Sequence, residues 1–249
     1  EDVNGADRTI FNHNMYIQHG NNDVTIRGNI SSRASSHGLQ FRSGGLCEDN
    51  LFIRNALAMY NRGTTRRNVV MQSDDISESL LRGNGMFIRY SNPNGPDPID
   101  VDGKPDLWEK NIVINRTSIR QTAGIKVGDG SYSPGTNPLI VRHNVVNNWN
   151  NSEGEGFVIT GVPDEAETKT TIQDNIVDGK RRETGESVTF VDSDRDIASY
   201  AQTLGLTGGF DKFMELNRSR EAGEWDAGLS AAAFSAYMRS GFSLAPTFD

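Results

Sequence analysis

Arg66-Arg67-Asn68-Val69-Val70-Met71 places an asparagine directly before an apolar, largely β-branched run, and the chain repeats that arrangement. The same pattern recurs at residues 25–30 (TIRGNI) around Asn29, 48–53 (EDNLFI) around Asn50, 81–86 (LRGNGM) around Asn84, 109–114 (EKNIVI) around Asn111, 142–147 (RHNVVN) around Asn144 and 173–178 (QDNIVD) around Asn175. The separations are 21, 18, 16, 27, 33 and 31 residues. Recurrence at such spacings is the mark of a repeat architecture. A unit this short, made of strands without helical periodicity, cannot bury its own apolar face, so the units are expected to stack into a parallel β-solenoid with neighbours about 4.8 Å apart.

Composition agrees with a body rich in turns. Of 249 residues only 35% are hydrophobic, and 26 are glycine. The net charge of -8 argues against a nucleic-acid or anionic-membrane surface, so a polyanionic ligand would need a local cationic patch. Cys47 is the single cysteine, which excludes an intrachain disulfide, and its neighbourhood GGLCEDNLF reads as core packing. No run of 18 apolar residues spans a membrane and no signal peptide opens the sequence. The first strand follows about twelve residues in, without an amphipathic cap, so a removed leader or further coils upstream in a longer precursor are expected.

Residues 1–192 are read as parallel β-helix coils, all-β, and 193–249 as a helical C-terminal cap. Helix-like stretches run over 195–204, 210–220 and 230–239, separated by Gly205, Gly208, Gly209, Gly223 and Gly228. The last sets Ala232, Phe234, Tyr237, Met238 and Phe242 on one side, suited to covering the final coil or folding back along the stack.

A second strand family aligns His13 to Gln18 with His37 to Arg42, Asn55 to Tyr60, Ala123 to Val127 and Glu155 to Thr160. Strict alternation turns Met15, Ile17, Leu39, Phe41, Leu57, Met59, Ile125, Val127, Phe157 and Ile159 inward. One outward column then reads Tyr16, Gln40, Ala58, Lys126 and Val158, and the next reads Gln18, Arg42 and Tyr60, with Arg89 at a comparable place. His13 and His37, 24 residues apart, become neighbours on consecutive coils beside Tyr16, Gln40 and Arg42. Such a cluster offers hydrogen-bonding and acid/base groups on one outer face. The alternative is a stacking ladder whose imidazoles only satisfy turn carbonyls.

The asparagine repeat, the segments SSHGLQFRSGG and NHNMYIQ, and the tail AAAFSAYMRSGF resemble secreted bacterial right-handed parallel β-helix proteins of the pectate-lyase-like superfamily. The resemblance implies a secreted or periplasmic protein acting on polysaccharide. It implies a lyase for a uronate-containing polymer, with a glycoside hydrolase or depolymerase of the same fold, or a non-catalytic glycan-binding or tailspike-like solenoid, as alternatives. The DPHD signature of the superfamily's epimerases is absent. For β-elimination, Arg42 would neutralise the sugar carboxylate, His37 would remove the C5 proton, and Tyr16 or His13 would protonate the leaving oxygen. Gln18, Gln40, Tyr60, Arg89 and Lys126 would bind flanking sugars. A hydrolase would instead need two facing carboxylates, and the aligned columns are poor in acids.

The insertion NPNGPDPIDVDGKPDLWEK carries hard oxygen donors around a glycine turn, and it resembles the DxDGxPDxWE calcium motifs of secreted bacterial proteins. Asp97, Asp100, Asp102, Asp106 and Glu109 are the expected ligands of a structural calcium ion. An acidic solvated loop is the plainer alternative.

Overall fold

A computed structural model describes residues 11–18, 20–61, 63–73, 85–88, 106–116, 123–127, 139–149, 155–159, 170–221 and 223–244. Its strands fall into three sheets that the chain visits in rotation. The first sheet contains β1 (Met15–Ile17), β4 (His37–Phe41), β7 (Leu57–Asn61), β10 (Met86–Ile88), β13 (Ala123–Val127) and β16 (Glu155–Ile159). The second contains β2 (Thr25–Arg27), β5 (Leu46–Glu48), β8 (Thr64–Arg66), β11 (Asp106–Glu109), β14 (Leu139–Arg142) and β17 (Thr170–Gln173). The third contains β3 (Ile30–Ser32), β6 (Leu51–Ile53), β9 (Val69–Ser73), β12 (Ile112–Arg116), β15 (Val145–Asn147), β18 (Ile176–Val177) and β19 (Lys180–Arg181). Neighbours pair parallel throughout, except that β19 turns back antiparallel on β18.

The asparagine marks the corner between the second and third sheets. The residue before it adopts positive φ in every described case: Gly28, Asp49, Arg67, Lys110, His143 and Asp174. That left-handed residue turns the chain sharply and delivers the asparagine into the interior. His143 is thus a corner residue. The side chains then bond from round to round. Asn29 Nδ2 donates to Asn50 Oδ1 (3.1 Å), Asn50 to Asn68 (2.9 Å), Asn68 to Asn111 (3.1 Å), Asn111 to Asn144 (2.9 Å) and Asn144 to Asn175 (2.9 Å). Each acceptor oxygen also receives the preceding asparagine's backbone N–H, as in Asn68 N to Asn111 Oδ1 at 3.0 Å. Apart from exposed Asn29 these asparagines are buried, so a lost rung would strand polar groups on both sides.

Asn84 is not a rung. Asn68 bonds Asn111 directly, so the interval between them is a single round, and Asn84 itself lies outside the described residues. The LRGNGM match instead precedes β10, a strand of the first sheet.

The core between the sheets holds Leu39, Phe41, Phe52, Met59, Val70, Trp108 and Val113 among others, with Cys47 fully buried as its neighbourhood suggested. Burial pushes the Cys47 thiol up, which keeps it protonated. The third sheet is apolar on both faces: Phe52, Val70, Val113 and Val146 point into this core, while Leu51, Ile53, Val69, Met71, Ile112 and Ile114 belong to a second cluster. A sheet buried on both sides needs a cover.

Three helices provide it: α1 (Ile197–Thr203), α2 (Gly209–Ser219) and α3 (Ala231–Gly241). Asp196 and Ser199 form a reciprocal cap at the start of α1, and the Ser230 hydroxyl accepts from Ala233 N (3.1 Å) at the start of α3. Phe210, Phe213, Met214, Phe234, Met238 and Phe242 pack onto the third sheet's outer residues. The tail therefore folds back along the stack rather than closing its last round. It reaches the first rounds, where the Arg54 guanidinium lies 3.9 Å from the Phe210 ring centre and Arg33 pairs with Asp211 at 2.7 Å. In α3 the buried side is Ala231, Phe234, Ser235 and Met238, and Ala232 faces solvent, one position away from the expected stripe. None of the described helices is long and apolar enough to cross a membrane.

Candidate functional site

The expected cluster forms on the first sheet. Register pairs Met15 with Leu39, Tyr16 with Gln40 and Ile17 with Phe41, which sets His13, two residues before β1, beside His37, the first residue of β4. The imidazole centres are 5.0 Å apart, edge to face. His13 stacks nearly parallel on Tyr16 at 5.4 Å, and the Arg42 guanidinium lies 5.3 Å from the other aromatic centre, that of Tyr16. The Tyr16 hydroxyl donates to Gln18 Oε1 at 2.5 Å.

Gln40 ties the group together. With its amide nitrogen toward His13 it donates to Nε2 at 2.8 Å, and its oxygen accepts from Arg42 Nε (3.2 Å) and Nη2 (3.1 Å). An accepting Nε2 places the His13 proton on Nδ1, a buried atom without a hydrogen-bond partner. The Ser36 hydroxyl lies 2.9 Å from His37 Nδ1 and fixes that ring from the side of the chain. Gly38 makes the spacing possible, since a Cβ there would come within 2.7 Å of both Ala58 O and Asn55 Nδ2. Counted by alternation from Leu39, His37 would turn inward; at the first position of β4 its ring instead meets His13 and Tyr60.

Both imidazoles are held neutral. Burial, then the neighbouring His13 and Arg42 charges, push His37 down to about 4. Burial and Arg42 lower His13 as well. At neutral pH the site is a pair of uncharged imidazoles, a half-exposed phenol and one guanidinium. Arg42 has no carboxylate partner among the described residues.

The third round is shifted by two residues from the expected alignment. His37 pairs with Leu57, Leu39 with Met59 and Gln40 with Tyr60. Tyr60 therefore continues the Tyr16–Gln40 column instead of following Arg42, and Leu57 stands in register with His37. The slip preserves parity, so Met59 stays inside. The column continues through Phe87 to Lys126 and Val158. Lys126 thus lies three strands from Gln40, about 14 Å away. Arg89 lies outside the described residues.

The acidic insertion divides. Asp97, Asp100 and Asp102 lie outside the described residues, while Asp106 to Glu109 form β11. Trp108 is buried and donates to Gly63 O at 2.8 Å. The Glu109 carboxylate accepts from Arg142 Nε at 2.9 Å. Among the described residues no group of three or more His, Cys, Asp or Glu gathers to hold a metal.

Glu109 belongs to a feature that the reading of the sequence missed. Register along the second sheet runs Arg27, Glu48, Arg66, Glu109, Arg142, a column of alternating charge. Glu48 is wholly buried and accepts from Arg27 Nε (2.6 Å), Arg66 Nε (2.6 Å) and Arg67 Nη2 (2.7 Å). Burial alone would raise it, but Arg66, Arg27 and Arg67 together hold its carboxyl below the usual range. The signal was present in the sequence: every member stands two residues before a rung asparagine.

Comparison with known protein families, with curated proteins and with solved structures returns no match to this chain. The site's own chemistry therefore carries the functional argument.

Proposed function

We propose that the chain is a right-handed parallel β-helix of the pectate-lyase-like kind, and that its first-sheet cluster cleaves a uronate-containing polysaccharide by β-elimination. The observation that carries this reading is a guanidinium, Arg42, without a carboxylate partner among the described residues, beside an imidazole that stays neutral. Arg42 pairs with the sugar carboxylate and withdraws charge from it, which acidifies the C5 proton. His37, uncharged above about pH 4, takes that proton. Tyr16, the most exposed member at 42%, gives its proton to the departing O4 as the C4–O bond breaks and the C4–C5 double bond forms. His13, held through Nε2 by Gln40 and with its Nδ1 buried, supports Tyr16 by stacking rather than donating a proton itself. Gln18 and Tyr60 border the reacting sugar, and Lys126 serves a subsite along the column.

The acidic loop is proposed to hold a structural calcium ion through Asp97, Asp100, Asp102 and Asp106, whose hard oxygen donors suit it. Glu109 fits less well, because its carboxylate is already bonded to Arg142.

The test is incubation with a panel of uronate polysaccharides. Unsaturated ultraviolet-absorbing product that disappears in His37→Ala supports the reading. New reducing ends without that absorbance indicate a hydrolase, and binding without either product indicates a glycan-binding solenoid; both overturn it.

A further inference from the structure

The two groups assigned to move protons stand on adjacent strands of one sheet: His37 opens β4, and Tyr16 is the middle residue of β1. They do not face each other across a gap. The His13 ring stands between them, 5.0 Å from the His37 ring and 5.4 Å from the Tyr16 ring, within 14° of parallel to the latter. Centres at these separations belong to rings in contact, so nothing as thick as a pyranose ring enters between base and acid. The wedge is also fixed. The Gln40 amide donates to His13 Nε2 at 2.8 Å, and its oxygen is held in turn by Arg42. The backbone on either side of His13 is pinned to the next round, Ser36 N donating to Asn12 O at 3.2 Å and Asn14 N to His37 O at 3.1 Å.

A sugar kept out of that gap lies across the three rings and turns one face to both groups. Base and acid then act on the same face, and the configuration of the uronate decides whether each finds its atom. In D-mannuronate and D-glucuronate the C5 hydrogen and O4 project to the same face of the ring. In D-galacturonate, L-guluronate and L-iduronate they project to opposite faces, and an acid on the side of the base finds O4 turned away.

We infer that the site eliminates in the syn sense and takes 4-linked D-mannuronate or D-glucuronate polymers, with His13 as the residue that sets this choice. The inference rests on the lyase reading above. As a base, His37 carries its own proton on Nδ1, donated to the Ser36 hydroxyl 2.9 Å away, which leaves Nε2 to take the C5 proton. The C5–H electron pair becomes the C4–C5 double bond, the C4–O4 pair leaves with O4, and O4 takes the Tyr16 phenolic proton. The imidazolium then gives one proton to water and the phenolate takes one back, so both groups return to their resting forms.

The test compares initial rates of unsaturated-product formation by the unaltered chain on poly-D-mannuronate, poly-D-glucuronate, poly-L-guluronate and poly-D-galacturonate. One or both of the first pair are expected to react about a hundredfold or more faster than either of the second. His13→Ala opens the gap, and the ratio of the two classes of rate, which does not depend on how much of the variant is folded, should fall about tenfold or more. The panel on the unaltered chain decides the stereochemistry however the variant behaves. Cleavage of polyguluronate or polygalacturonate at a comparable or higher rate overturns the inference and leaves the lyase reading standing, and an unchanged ratio in His13→Ala overturns the role given to His13. Absence of unsaturated product from all of these polymers overturns the lyase reading itself, and the inference falls with it.

Discussion

The outer faces of the first and second sheets use the same residue types to opposite ends. On the second sheet every described arginine of the column meets a carboxylate, and Glu48 is closed in by Arg27 and Arg66 of the column together with the corner residue Arg67. On the first sheet, among the described residues, the Arg42 side chain meets the Gln40 amide and the Tyr16 ring and no carboxylate, and the imidazoles beside it carry no charge. Charge that is compensated within the fold contributes to folding. Under the proposed function, the charge held beside a neutral amide meets the sugar carboxylate.

The comparison breaks most severely at His37. His37→Ala is expected to lower turnover of a uronate polymer by about 10²–10⁴-fold while leaving the unfolding midpoint nearly unchanged. A large loss of stability with activity retained would move the first-sheet cluster into the structural class. Glu48→Gln should do the reverse: about 3 kcal/mol less stable in denaturant unfolding, the low end for breaking a buried pair because its arginines are partly solvated, with turnover per folded molecule unchanged.

A smaller effect follows from protonation. The unfolded chain binds a proton at His37 near pH 6.5, while the folded chain does so only near 4. Stability should therefore fall as pH drops from about 6.5 toward 4, by about 2 to 3 kcal/mol, and level off below. Unfolding curves at pH 7 and pH 4 for the wild type and His37→Gln measure it; parallel losses in both would show that His37 is not the group responsible. The smallest change expected is a fall of about 2–4 °C in the melting temperature on chelation, if the acidic loop contributes about 1 kcal/mol through calcium. An unchanged curve and no metal by elemental analysis would remove that site.

Much of this contrast was legible in the sequence. The rungs announce themselves because a left-handed corner, a buried amide and a β-branched strand follow in fixed order, and the second strand family, aligned separately, supplies the 24-residue offset of His13 and His37. The two-residue slip at Leu57 was not legible, since parity and hydrophobicity are satisfied equally in either register. Asn84 misled for a related reason: one asparagine before a glycine matches the pattern locally, but the ladder needs an amide at the corner between the second and third sheets. The charge column was visible in principle, yet alternation of sign gains meaning only when residues as far apart as Arg66 and Glu109 are known to be adjacent.

The corner also says where this protein can change length. From the last residue of each second-sheet strand to the first of the next third-sheet strand, the count is constant in every described round: 27 to 30, 48 to 51, 66 to 69, 109 to 112, 142 to 145 and 173 to 176. All the variation between rounds falls elsewhere. A loop graft between a first-sheet strand and the second-sheet strand after it should be accommodated at little cost, whereas deleting one residue at a corner would rotate everything downstream out of phase. Lineages built on this plan can diversify their surfaces by insertion at every point of the circuit but that one.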